Sequence, residues 1–204
     1  MKQILIAAIF LLGTVTSALS EAAADVAFVA DAHMRWSDAE ERVTSLRQEV
    51  YTKLQPGFAD LGAEIINSDR FWEELAGDFD VELLKLIRGN VAAVYQEVLT
   101  TEEIAALADF YRADEGRVLL EQGVTPVTFT SNVAFFTEGA GAPLAEHLLE
   151  LEASMEAKGE TVTQYLRAVF SPARIADIIE MEDVMAFADE SRRAVVAEAL
   201  RNAE

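Results

Sequence analysis

The sequence predicts an all-α protein, built of antiparallel helical hairpins packed as a small helix bundle. Apolar residues recur every three to four positions through nearly the whole chain after residue 20, which is the period of an amphipathic helix. Helix-opening patterns stand where those runs begin: Ser37-x-x-Glu40, Thr100-x-x-Glu103 and Ser171-Pro172. Residues 123–131 (GVTPVTFTS) alone have the alternation and β-branched threonines of a strand. A lone strand has nothing to pair with, which favours a Pro-kinked helix there over an extended segment.

The chain opens with the build of a secretory signal. Lys2 supplies a positive start, Ile4 to Leu12 an apolar run, and Gly13 to Ser20 a small-residue stretch in which cleavage can follow Ala18 or Ser20. Residues 1–20 are therefore expected to be removed on export. The rival reading is an uncleaved anchor, but the apolar run falls short of the roughly 20 residues that span a bilayer. None of the 204 residues is a cysteine. Neither a lipidated cysteine nor a disulfide can form, so packing must hold the fold. These features predict a periplasmic or secreted protein of a Gram-negative bacterium.

Downstream, a break is expected between Asp31 and Ser37, after which the Ser37 capping box opens a helix to about Leu54. Gln55-Pro56-Gly57 should kink or stop it, and a further helix is expected over Phe58–Ile66. Asn67-Ser68-Asp69 reads as the cap of a short helix carrying Phe71, Trp72 and Leu75. The clearest helix runs from Val81 to Leu99, where Leu83, Leu84, Ile87, Val91, Val94, Tyr95 and Val98 form one apolar stripe. Gly89 within it points to a closely packed neighbour. The second capping box opens a helix with Ile104, Leu107, Ala108 and Tyr111 on one face, and Asp114 is placed to cap the helix that follows, completing a hairpin.

Gly139 to Pro143 is the best internal linker, dividing a helical region 21–138 from a second, 143–204. In the second region a helix bearing Leu144, Leu148, Leu149 and Leu151 should end at Gly159. Ser171-Pro172 then opens a helical segment reaching toward Ala203, with one break allowed within it. Ala113-Asp114-Glu115-Gly116-Arg117 is echoed by Ala188-Asp189-Glu190-Ser191-Arg192, a faint sign of a duplicated hairpin.

Lysine and arginine number 16 against 36 aspartates and glutamates, a net charge of −20 at pH 7. A field of that sign repels phosphate backbones and anionic lipids. It argues against nucleic acid as a partner and, once the signal is removed, against a membrane surface. With 51% hydrophobic residues, the charge belongs to a folded body rather than to a disordered acidic tail.

The run Leu99-Thr100-Thr101-Glu102-Glu103-Ile104, continued by Leu107, Phe110, Tyr111 and Gly116, resembles a family of exported bacterial proteins, domain of unknown function 2059. Its members read L-T-x-x-E-[IL]-x-x-[IL]-x-x-F-Y-x-S-x-x-G. Glu103, Ile104, Leu107, Phe110, Tyr111 and Gly116 match that pattern, and the likeness covers roughly residues 60–130. The usual Ser is replaced by Ala113, which passes its capping role to Asp114. The resemblance implies a helical, exported protein and no known activity. On physical grounds the motif is a hairpin lock: Tyr111 shares the stripe of Ile104 and Leu107, Phe110 widens it, and Gly116 admits a close backbone or an unusual φ. Aromatic residues on such a stripe are usually packing; a ligand groove lined by Phe110 or Tyr111 is the alternative.

Chemistry is sparse. The two histidines are His33, in the expected break after Asp31, and His147, which shares a helix face with Glu150 and could offer two ligands to a metal. One pair in this order falls short of the repeated Glu-x-x-His of di-metal bundles. The acidic run Glu180, Glu182 and Asp183, continued by Asp189 and Glu190, lacks the turn of a calcium loop and reads as helical surface charge. There is no cysteine nucleophile, no Gly-x-Ser-x-Gly elbow and no phosphate-cradling glycine loop. No catalytic, cofactor-binding or metal residue is assigned, and no cofactor is expected. Three functions remain, in order of preference: an exported helical interaction or structural module with a protein or peptide partner; a carrier or sensor of a small apolar ligand bound between helices; and a carboxylate-based enzyme of unidentified reaction.

Overall fold

The computed structural model describes residues 20–35, 37–121 and 142–203. The expected signal segment up to residue 19, the helix-or-strand stretch 123–131 and most of the expected linker lie outside the described residues. Within them the chain is helical apart from one two-stranded sheet. Helix α1 covers residues 20–35. It is followed by α2 (Ala39–Asp60), β1 (Ala63–Ile65), α3 (Ser68–Ala76), α4 (Phe79–Val98), α5 (Thr101–Arg112) and α6 (Asp114–Glu121). Then come α7 (Ala142–Val169), α8 (Pro172–Ile179), β2 (Met185–Phe187), a 3-10 turn (Glu190–Arg192) and α9 (Arg193–Arg201). No described helix is long and apolar enough to cross a membrane.

The chain forms two compact units, each assembled from two separate stretches: the chain up to Ala39 with Ile87–Lys158, and Glu40–Leu86 with Gly159–Glu204. α4 and α7 each contribute residues to both units.

In the first unit the stripes of α1, α4, α5 and α7 share one apolar core, in which Val29, Ala30, Val94, Ala108, Tyr111 and Leu144 are almost fully removed from water. α5 starts where its capping box places it. The Thr100 hydroxyl accepts the Glu103 N–H at 3.2 Å, and Glu103 Oε2 accepts the Thr100 N–H at 2.8 Å. α6 begins one residue after α5 ends, so Asp114 is its first helical residue and not the expected cap. The cap position is Ala113, whose φ of −71° and ψ of 160° nearly repeat those of the hydroxyl caps Thr100 and Ser171.

Two expectations in this unit are corrected. His33 lies within α1, not in a break. The Ser37 hydroxyl donates to the Met34 carbonyl at 3.2 Å, so it closes α1 instead of opening α2, and Asp38 at φ 50° makes the turn. Gly89 and Gly159 also depart from their readings. A Cβ at either would meet no atom within 4 Å, so neither marks a close neighbour, and α7 runs straight through Gly159.

In the second unit α2 continues through Pro56 and Gly57. Both are exposed, so the hydrogen bond that Pro56 cannot make is lost on the solvent side, where it costs least. The helix ends at Asp60, and Gly62 at φ 74° turns the chain into β1. The helix expected over Phe58–Ile66 is thus replaced by the end of α2 and a strand. Asn67 caps α3 as expected, its side chain accepting the Arg70 N–H at 3.2 Å. β1 pairs antiparallel with β2: Ala63 opposite Phe187, Glu64 opposite Ala186, Ile65 opposite Met185.

The Ser171–Ala203 segment is helical at both ends, and the break between its helices holds more than a turn. Ser171 does cap α8, accepting the Arg174 N–H at 3.4 Å, but a strand and a 3-10 turn precede α9. Phe71, Leu75, Phe79, Ile178, Ile179 and Met185 form the buried centre, extended by edge-to-face rings: Phe58 on Phe71 at 5.9 Å, Phe79 on Phe170 at 5.5 Å. Arg193, 9% exposed, ties the C-terminal pieces together. It donates to the Ile179 carbonyl at 2.6 Å and the Met185 carbonyl at 3.0 Å, pairs with Glu190 at 2.8 Å, and lies 5.0 Å over the Phe187 ring.

Candidate functional site

The motif residues of the first unit lie in its interior. Ile104, Leu107, Phe110 and Tyr111 are buried, and Gly116 is packed against the backbone of Phe110 and Tyr111. Glu103 is spent on the capping box, where it also accepts the Thr100 hydroxyl at 2.9 Å. None of these side chains faces a groove among the described pockets.

The titratable groups nearby are held neutral. His33 Nδ1 lies 3.2 Å from the Tyr95 hydroxyl, and the two rings meet edge-on at 5.9 Å. Burial lowers the imidazole to about 4 and pushes the Tyr95 hydroxyl far above its ordinary range. The Tyr111 hydroxyl is buried without a hydrogen-bond partner among the described residues; burial first, and then its neighbour Tyr95, raise it as well. A neutral imidazole against neutral phenols offers no base poised near neutrality.

His147 faces two carboxylates, Glu103 at 3.5 Å and Glu150 at 3.9 Å. Glu103 is the acid already engaged by Thr100. Among the described residues no group of three or more His, Cys, Asp or Glu is arranged to hold a metal ion. The acidic run lies in turns rather than on one helix face, and most of its members are paired within the unit. Glu180 and Asp177 each receive Arg201 at 2.8 Å, Asp183 pairs with Arg70 at 3.3 Å, and Asp189 caps the 3-10 turn through Ser191. The hydrogen bond from Arg201 holds the Glu180 carboxyl below the usual carboxylate range, and the Ser191 hydroxyl and N–H do the same for Asp189.

Among the described residues, a feature with the shape of a binding site lies in the second unit. A groove of about 840 Å³, open to solvent, is lined by Tyr51, Gln55 and Phe58 of α2, by all three residues of β1, and by Ala186 and Phe187 of β2. Most of the residues lining it are aromatic or aliphatic and Glu64 is the one charged residue among them, while the Arg192 guanidinium stands beside Gly62 at the entry to β1.

The strand beside it is unevenly satisfied. The Ala188 N–H donates to Gly62 and the Ile66 N–H to Val184, each at 2.9 Å. These bonds make positions 62, 64 and 66 the inward-bonding ones. By antiparallel alternation, Ala63 and Ile65 on β1, and Met185 and Phe187 on β2, direct their N–H and C=O groups away from the partner strand. On β2 the chain itself serves three of the four, all but the Phe187 carbonyl. The Met185 carbonyl accepts from Arg193 at 3.0 Å, the Met185 N–H donates to Met181 at 2.9 Å, and the Phe187 N–H donates to Glu190 at 3.4 Å. On β1 the outward groups of Ala63 and Ile65 have no partner among the described residues.

No residue of this groove was singled out from the sequence. A usable signal was present: a helix-ending Gly62 and a helix-capping Asn67 leave only residues 63–66 between them, too few for the helix expected there. Comparison with family models, curated proteins and solved structures finds no match, so the family likeness of residues 99–116 rests on its matching residues alone.

Proposed function

We propose that this protein is an exported interaction module that holds a protein or peptide segment in the groove formed by α2 and the β1–β2 sheet. The observation that carries this reading is the groove itself. It is large, open and walled by Tyr51, Phe58 and Phe187, while the histidines and core tyrosines are packed away or set against helix caps. A carrier of small apolar molecules would enclose its ligand, and this groove is open. Export rests on Lys2, the apolar run Ile4 to Leu12, the small residues after it and the lack of cysteine, and it agrees with the family resemblance.

The test is selection of a random peptide display library on the full chain, with Ala59→Trp and Ala188→Trp variants as controls. Both alanines are exposed and line the groove. Peptides that bind the native chain and are lost from both variants are expected. No enrichment, or enrichment indifferent to the tryptophans, overturns the reading. Export is tested separately by the mass and fraction of the expressed product; an intact Met1 start in the cytosol contradicts it.

A further inference from the structure

We infer that the occupant of this groove is an extended polypeptide, neutral or basic, that adds to the outer edge of β1 as a third strand. This rests on the interaction-module reading and specifies its mode. Ala63 is 6% exposed, yet its outward N–H and C=O find no partner in the described chain, and Ile65 repeats the pattern two residues on. Backbone groups so placed are almost always paired in folded proteins. Donor and acceptor recur here at a two-residue repeat of roughly 6.7 Å, a spacing that another strand's backbone matches in register. Both residues line the groove, so the edge and the aromatic walls are offered to one ligand. Alternate side chains of an added strand would meet Tyr51, Phe58 and Phe187, while its backbone bonds to β1.

The opposite edge makes the assignment directional. Arg193, Met181 and Glu190 already occupy three of the four outward groups of β2, all but the Phe187 carbonyl, which leaves β1 as the more open side for addition. Charge decides the occupant. Glu64 is the sole charged side chain among the lining residues, and the chain carries −20 overall. A second copy using both Ala63 and Ile65 in antiparallel register would set Glu64 against Glu64, a destabilising like-charge pair. A segment with lysine or arginine among apolar residues turns the same position into an attraction.

The probe is the peptide acetyl-Val-Lys-Val-Lys-Val-Lys-amide, titrated into the full chain, with two relatives N-methylated at the valines or at the lysines. Expected are binding, amide exchange at Ala63 and Ile65 slowed roughly tenfold or more at saturation, and loss of binding by one methylated peptide but not the other. Glu64→Lys, at an exposed position, should transfer preference to the peptide with glutamate in place of lysine. Binding without protection of Ala63 and Ile65, or with both methylated peptides equally good, overturns strand addition and leaves the module standing. No binding by the probe also overturns strand addition; the module itself falls only if the display selection fails too.

Discussion

A Cβ at position 116 would overlap the carbonyl oxygen of Phe110 and lie 2.7 Å from its carbonyl carbon. The start of α6 is thus in backbone contact with the last turn of α5, with Ala113 as the single residue between the two helices. Any side chain there must move backbone, not merely a rotamer.

Gly116→Ala is therefore expected to destabilise the fold by about 1–3 kcal/mol through overpacking, although the same change in an ordinary helix is favourable. Gly89→Ala and Gly159→Ala supply that contrast. Both sites are exposed and helical, with nothing within 4 Å of the added Cβ, and each should gain about 0.5–1 kcal/mol. Urea unfolding of the three variants decides it; equal effects at 116 and 89 would mean that the hairpin is looser than described.

Ala113→Ser is expected to stabilise by about 1 kcal/mol. Ala113 holds the same extended backbone as Thr100 and Ser171 at the mouth of a helix, but has no oxygen to offer the N–H groups of α6. The rise in unfolding midpoint checks this, and an unchanged midpoint would show those groups to be satisfied already.

The Tyr111 hydroxyl is buried without a partner among the described residues, so Tyr111→Phe should be neutral or mildly stabilising, by up to about 1 kcal/mol. Tyr111→Ala removes a ring from the core and should cost ~2–4 kcal/mol. Denaturation of the pair separates the ring, which packs, from the oxygen, which contributes nothing; a costly Tyr111→Phe would reveal a bond to that oxygen.

His33 makes stability depend on acid. Its folded-state pKa of about 4 lies below the ordinary value of 6.5 because burial penalises the charged ring. Between those values the unfolded chain binds the proton and the folded one does not. The stability held by the neutral ring is full above pH 6.5 and is lost as pH falls toward 4. The native chain should lose more stability across that interval than His33→Gln, by on the order of 2 kcal/mol after discounting for partial exposure. Parallel curves for the two proteins would contradict the buried placement of His33.

What could be read from the sequence follows from the range of the forces involved. α5 was legible end to end because its capping box, its 3-4-3 spacing and its burial all arise within twelve residues. Ser37-x-x-Glu40 has the same hydroxyl-to-glutamate spacing as Thr100-x-x-Glu103, but its hydroxyl is taken by the end of α1. The pattern cannot say which of two adjoining helices claims an oxygen. Gly89 and Gly116 look alike in sequence; only the neighbour across space distinguishes an idle glycine from an obligatory one. The strands were missed because three residues show no period. Ala63 and Phe187, distant in the chain, make a sheet only by meeting each other. The groove inherits that blindness, since β2 is part of its wall.

The most direct measurement is a backbone amide NMR titration of the isotopically labelled full chain with the alternating valine–lysine peptide. The account requires shifts concentrated at Tyr51–Ile65 and Ala186–Ala188, with the amides of Glu103–Gly116 unmoved. Shifts centred on Phe110 and Tyr111 would make the helical motif the contact surface and refute the assignment of those residues to packing.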